Sequence, residues 1–255
     1  MTIAERFRAA LAAAGGPGLE GPELLPERLA RATATMLPVD GAGLSLLDAE
    51  QRRMPLGASS EQAAEAERIQ FTVGSGPCTA AQQTGEPVFA PEEELQRRWP
   101  AFTEKLVART PYRAVVGLPL QRALVGIGAM DLYLVDPDRV AHLDVFEVLA
   151  VGELVTSELA DAAIFSTWST ERGPDWLNAP AVQRRTAVWE AIGKLGLDLD
   201  VGASAALELL RAHAFASDRV VDDVAVDLLT ARLEPGDLLT ARSQPGDLRS
   251  SEPHG

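Results

Sequence analysis

The sequence predicts an α+β protein: an antiparallel sheet flanked by helices, followed by a separate three-helix domain. Three observations predict it. Two apolar runs, 112–120 and 124–135, are separated only by Gln121-Arg122-Ala123, the spacing of an antiparallel hairpin. Helix-like segments surround that pair on both sides. Beyond residue 180 the strand signals stop, and apolar residues recur at helical steps in three successive segments.

The elements follow in chain order. Residues 2–14 read as a short helix, broken by Gly15-Gly16-Pro17-Gly18 and Gly21-Pro22. Leu24, Leu25, Leu29, Ala32 and Met36 suit a second helix ending near Pro38. Residues 42–47 read as a strand, 48–51 as a turn and 54–58 as the return strand. A charged helix is expected over 61–68. Gly74-Ser75-Gly76-Pro77-Cys78 is a tight turn leading into a helix over 79–84, and 87–90 is a short strand. Residues 92–109 are helical, with Pro100 at a break. In the second strand of the hairpin, Met130, Leu132 and Leu134 alternate with Asp131, Tyr133 and Val135, which predicts one buried face. A long helix is expected over 142–165, and a linker carrying exposed tryptophans, Trp168 and Trp176, over 166–180.

The three later helices show one apolar stripe each: Val188, Ala191, Ile192, Leu195 and Leu199, then Ala203, Ala206, Leu207, Leu210 and Ala214, then Val221, Val224, Ala225 and Leu228. The tail holds a repeat, DLLTARLEPG at 227–236 and DLLTARSQPG at 237–246; the second copy reads as a duplication, with disorder expected over 235–255. The expected organisation is therefore an N-terminal helix and linker (1–21), an α+β domain (22–165), a linker (166–180), a helical domain (181–234) and the tail.

Composition narrows the function. The chain has 255 residues, 46% apolar and 24% charged, which fits one large globular domain or two small ones. Aromatics make up only 5%, so the core must be aliphatic. With 23 basic and 37 acidic residues the net charge is −14, which excludes a basic nucleic-acid grip over the whole surface and a polybasic membrane anchor. Cys78 is the single cysteine, so an intrachain disulfide and a cysteine-rich zinc site are excluded. The three histidines, His142, His213 and His254, are scattered, and no metal site and no cofactor are expected. The N-terminus lacks an apolar core of signal-peptide length, and no window reaches the roughly 18 uncharged apolar residues of a membrane span. A cytoplasmic protein is expected.

Few residues read as chemistry. Cys78, near a helix N-terminus, is placed where a thiol pKa falls, but no histidine stands in a context to serve it; a structural or pocket-wall role is the better reading. Gly74-x-Gly76 could cradle a phosphate, yet a turn needing glycine torsions explains it as well. Glu92-Glu93-Glu94 reads as a solvated first turn favoured by the helix dipole. Arg211 and His213 either exploit a helix C-terminus or contact nucleic acid. No P-loop, HExxH, GxSxG or kinase signature occurs, so no enzyme and no catalytic residue is expected.

Residues 187–233 closely resemble the ANTAR domain, a three-helix RNA-binding module of transcription antitermination regulators. The matching elements are Ala191-x-Gly193, the run Ala206-x-x-x-Leu210-Arg211-Ala212-His213-Ala214-Phe215, and Asp223-Val224-Ala225, aligned without a gap. Residues 22–165 resemble a GAF domain through Gly74-Ser75-Gly76-Pro77-Cys78 and Gly128-Ala129-Met130-Asp131-Leu132-Tyr133. Together the resemblances cover about three-quarters of the chain, in an order similar to a common actinobacterial regulator type. They imply a GAF-like sensor, binding an unknown small molecule or serving as a dimerisation platform, and an ANTAR-like effector that binds paired leader RNA hairpins. The implied RNA-binding residues are Arg184, Arg185, Ala191, Gly193, Lys194, Arg211, His213 and Arg219, expected as one basic strip with Asp222, Asp223 and Asp227 turned away. The implied ligand pocket lies at Gly74, Gly76 and Cys78, with mainly aliphatic walls. A homodimer through helices 2–14 and 142–165 is expected.

This sequence departs from the ANTAR pattern at Lys194, where the family has an apolar residue, and at Asp200, where a glycine commonly ends the first helix. Residues 178–234 hold 6 basic and 9 acidic residues, a net −3. That balance supports a second reading of a different class: a ligand-sensing protein-interaction module whose helical domain no longer binds RNA. A thiol enzyme dependent on Cys78 is the weakest reading.

Overall fold

The computed structural model describes residues 1–47, 52–165 and 173–240. The expected turn at 48–51, Trp168, most of the repeat's second copy and the tail beyond 240 lie outside the described residues. The chain divides into two compact units, Met1–Thr186 and Ala187–Gly255. The division falls after Thr186, inside a helix, rather than in the 166–180 segment.

In the first unit, α1 (Ile3–Ala13) starts with a capping box in which Thr2 and Glu5 satisfy each other's backbone N–H. It packs on α2 (Leu25–Met36). Strands β1 (Gly41–Leu47) and β2 (Arg53–Ala58) form a hairpin. Helix α3 (Glu61–Val73) is capped by the Ser60 hydroxyl and ends on Gly74, whose left-handed φ of 78° suits a residue without Cβ. It runs a full turn beyond the predicted end and buries Ile69, Gln70 and Phe71. Then come α4 (Pro77–Thr84), β3 (Val88–Ala90), α5 (Glu92–Arg98) and α6 (Pro100–Arg109), the last two split at Trp99-Pro100 as Pro100 requires. Strands β4 (Ala114–Pro119) and β5 (Gly128–Leu134) pair antiparallel, as the hairpin spacing predicts. The five strands form one antiparallel sheet in the order β2-β1-β5-β4-β3.

The predicted helix over 142–165 starts later. Pro137–His142 is a 3₁₀ helix, and α7 (Val145–Phe165) begins where Asp144 Oδ1 accepts from the backbone N–H groups of Phe146 and Glu147. Trp176, read as exposed, is buried in the core with Ala179 and Val182. It sits in a 3₁₀ turn, Asp175–Asn178, so the second half of the expected linker is part of the first unit.

One face of the sheet meets α1, α2 and α7 in an apolar core that includes Leu44, Leu56, Val116, Leu118, Met130, Leu132, Val151 and Leu159. The alternation along β5 predicts a second, exposed face. The structure corrects this: Asp131 and Tyr133 are as buried as their neighbours, because α3 and α4 cover the other side.

Helix α8 (Pro180–Leu199) begins in the first unit and ends in the second. The second unit continues with α9 (Ala203–Ala216), α10 (Val221–Leu229) and α11 (Asp237–Thr240); α9 packs against both α10 and α11. The predicted stripes are largely buried, but Ala203 is exposed and Leu209, outside the predicted stripe, is buried. Within the expected disordered segment, α11 buries Leu238. No helix among the described residues is long and apolar enough to cross a membrane.

Candidate functional site

The covered second face of the sheet holds the chemistry. Asp131 and Tyr133 project from β5 on the same side, two residues apart. The positions paired with Asp131 are Gly43 on β1 and Gly117 on β4, and the partner of Tyr133 on β1 is Gly41. Small residues here make room. A Cβ on Gly117 would sit 2.6 Å from the Pro77 carbonyl oxygen and 2.9 Å from the Cys78 nitrogen, so α4 can lie against the sheet only where glycine leaves the space.

Into this space come charged side chains from three elements. Arg53, on β2, points its Nη2 at Asp131 Oδ2 (3.4 Å), and its Nε lies 3.7 Å from Glu67 Oε1 on α3. The Gln70 amide donates to Asp131 Oδ2 at 3.1 Å and accepts from the Cys78 backbone N–H at 3.2 Å, joining α3, β5 and α4. Arg185, on α8, donates to Glu67 Oε2 (3.0 Å) and to the Arg53 carbonyl (3.1 Å), with its guanidinium over the Phe71 ring. Arg53, Glu67, Asp131 and Arg185 are all buried, two cations against two anions. Such a neutral set tolerates burial; removing one member would leave an uncompensated charge.

The environment sets the protonation. Burial raises the Asp131 pKa to about 6, against the opposing pull of the Arg53 guanidinium. Burial also pushes the Cys78 thiol well up, with Arg53 only partly offsetting it. Cys78 is fully buried, 3.8 Å from the Ser45 hydroxyl, and this environment holds it as a thiol. Burial would lower the Arg53 pKa, but the acidic groups around it raise it overall. Tyr133, raised by burial, stacks on Tyr112 with ring centroids 5.0 Å apart. Four buried polar atoms of this face make no hydrogen bond: Arg53 Nε, the Tyr133 hydroxyl, Asp131 Oδ1 and Glu67 Oε1.

The expected pocket residues meet this centre, with a different chemistry. Cys78 touches it directly. Gly76 lies against it, since a Cβ there would clash with the Gln70 side chain. Gly74 is the helix cap of α3. The expected aliphatic lining is corrected: the space between the sheet and residues 74–84 is filled by buried charge and amide. Sequence reading missed Arg53, Glu67, Gln70 and Asp131 as a group. The available signal was Gly41, Gly43 and Gly117 at strand positions, which marks a close approach.

The expected RNA residues do not form one free basic strip. Arg185 is wholly buried in the first unit, and Arg184 beside it is exposed. Lys194 pairs with Asp198 (2.6 Å), Arg211 with Glu208 (3.0 Å) and Arg219 with Asp227 (2.6 Å). Asp227, expected to turn away, is the partner of Arg219 and also meets Arg232. Ala191 is buried, Gly193 opens to solvent with nothing near its missing side chain, and His213 is half-buried. Among the described residues no cluster of three or more histidine, cysteine or acidic side chains is arranged to hold a metal.

No family model matches the chain. The search of curated proteins also finds no match. Among solved structures, the chain is similar to the GAF domain of an Acinetobacter phosphoenolpyruvate-protein phosphotransferase, at 12% identity and a TM-score of 0.41, over 65% of this chain and 96% of that one. It is similar to the GAF domain of the corresponding Coxiella burnetii protein (ptsP), at 14% identity and a TM-score of 0.43, over 63% and 94%. A third GAF domain structure is 14% identical with a TM-score of 0.37, over 62% and 89%.

Proposed function

We propose that this chain is a non-catalytic regulator in which a sheet-based sensor, with a polar ligand-responsive centre, controls a helical output unit. One observation carries the reading: four buried charges lie under the sheet, and one of them, Arg185, is delivered by the helix that runs on into the second unit. Buried ion pairs stabilise no better than well-packed apolar side chains. The core on the opposite face of the same sheet is apolar, with Phe7 and Trp176 among its aliphatic residues, so the charges on this face point to a use other than stability. A small polar molecule is the stimulus, consistent with the implied GAF-like role. The buried thiol supports the absence of thiol chemistry, and a cytoplasmic regulator fits this reading.

For the output unit we favour a protein partner. Three of its expected RNA contacts, Lys194, Arg211 and Arg219, are matched to carboxylates. Leu197 is 88% exposed on α8, an apolar side chain that a protein surface would cover. The second reading, leader RNA hairpins and antitermination, is supported by the ANTAR-like motif and by open space at Gly193 and exposed Arg184. A homodimer belongs to either reading.

Two measurements test this. A thermal-shift screen of the intact chain against polar metabolites should find a saturating ligand; a screen without one overturns the sensor. Paired RNA hairpins titrated at low salt should show no binding. Binding that weakens with salt, at a slope of roughly 0.7 per phosphate contact on single-stranded RNA, would replace the protein-partner reading with the RNA one.

A further inference from the structure

Glu67 and Phe71 stand four residues apart on α3 and therefore share a helix face. With the main-chain carbonyl of Arg53 they form three sides of a recess: a flat ring, a carboxylate and a neutral acceptor. The occupant is a guanidinium. The central carbon of Arg185 lies 3.5 Å from the Phe71 ring centroid, one of its nitrogens donates to Glu67 and another to the Arg53 carbonyl. A planar cation that stacks and forks its donors satisfies all three sides, whereas an ammonium group offers no face to stack.

The charge balance points the same way. Without Arg185, Arg53 alone faces Glu67 and Asp131, and the buried centre is left one positive charge short. A neutral solute in the recess would leave that deficit, and an anion would deepen it. Glu67 Oε1 makes no hydrogen bond, so the carboxylate has acceptor capacity beyond what Arg185 uses.

We propose that this recess is a binding site for a solute bearing a guanidinium or amidinium group, that Arg185 fills it in cis, and that an entering solute displaces Arg185 and loosens the first turns of α8. The inference rests on the sensing reading and supplies its ligand class. The tether holds Arg185 at an effective concentration in the millimolar range, so a small free cation competes poorly with it and well once it is removed.

The test uses the full chain carrying Arg185→Ala and ethylguanidinium as the probe, with ethylammonium and urea as controls for charge alone and shape alone. The expected result is a saturable rise in melting temperature with ethylguanidinium only, at least about tenfold tighter than for the intact chain, and abolished by adding Glu67→Gln. No saturable effect, or an equal effect of urea or ethylammonium, overturns the proposal. Should Arg185→Ala fail to fold, hydrogen exchange of the intact chain decides: faster exchange confined to 180–186 when ethylguanidinium is added supports the proposal, and unchanged exchange overturns it. A metabolite of other chemistry that binds the intact chain while Arg185→Ala ignores ethylguanidinium leaves the sensor standing and removes this assignment. Ethylguanidinium bound by Arg185→Ala, with no metabolite acting on the intact chain, supports the recess and removes the sensor.

Discussion

Gln70 joins three elements with one amide, and its loss should be felt in all of them. Its nitrogen serves Asp131 and its oxygen serves the Cys78 N–H, both in the interior. Gln70→Leu keeps the bulk, orphans the Cys78 N–H and leaves Asp131 Oδ2 to Arg53, which should cost roughly 1–3 kcal/mol, read as a lower urea midpoint at unchanged slope. A loss below about 0.5 kcal/mol, the range of an ordinary surface substitution, would show that the partners find other donors. Asp131 makes a different prediction. Its folded pKa of about 6 lies above the ordinary aspartate value, so the folded chain holds the proton more tightly than the unfolded one. The stability this contributes is full below about pH 4 and is lost as pH rises through about 6. Asp131→Asn cannot titrate. Unfolding free energies of the two chains, measured across that window, should diverge as pH rises, the intact chain losing ground, and run parallel above it. Parallel curves throughout would mean that Asp131 keeps one charge state. The alternation along β5 showed Asp131 as a polar position, which normally faces water, and the GAF-like motif that includes it gave it no role. Its partner Gln70 is 61 residues away, and Arg185 and Glu67 are 118 residues apart, so no local pattern could bring them together.

Among the elements, those with local signals were legible and those set by distant packing were not. The β4–β5 pair, the break at Pro100 and the glycine caps after α3 and α4 follow from short-range chemistry. The extra turn of α3 and the inward Trp176 do not, because both depend on what covers them. Arg185 illustrates the limit: within α8 it reads as one of two adjacent surface arginines, and only the first unit's interior makes it a buried ligand of Glu67. The contact between α4 and β4 gives the prediction at this scale. Gly117→Ala would press a methyl group against backbone atoms of Pro77 and Cys78, which cannot swing aside as a side-chain end can. It should cost about 1–3 kcal/mol. Gly43→Ala, two strands away on the same face, meets nothing closer than the Tyr133 ring at 3.7 Å and should be tolerated. Equal effects of the two, measured by thermal unfolding, would refute the close approach of α4 as the reason for Gly117.

At the scale of the whole molecule the open question is what covers α7. Its inward side, Val148, Val151, Val155 and Leu159, is used by the core. Its outward side also carries apolar residues: Phe146 is 84% exposed and Ile164 is 70% exposed. Positions 146, 150, 153, 157, 160 and 164 step by four and three, the seam spacing of a coiled coil. Ala150, Ser157 and Ala160 on that seam border a groove of about 610 Å³, shared with Ile3 and Ala4 of α1. Phe146 and Ile164 bracket the groove, roughly 27 Å apart at the rise of an α-helix. Large apolar residues stand at both ends; between them Ala150, Ser157 and Ala160 are small, and Glu153 is paired with Arg122, so the seam can meet a copy of itself running the opposite way, as an isologous two-fold contact requires. We therefore propose a homodimer through α7 and α1. Light scattering at tens of micromolar, where a micromolar dimer is well populated, should give twice the chain mass. Phe146→Asp combined with Ile164→Asp should return it to the single-chain mass without loss of helical content, since neither side chain is part of the core. A single-chain mass for the unaltered protein at that concentration would end the dimer proposal and leave the seam to a different partner.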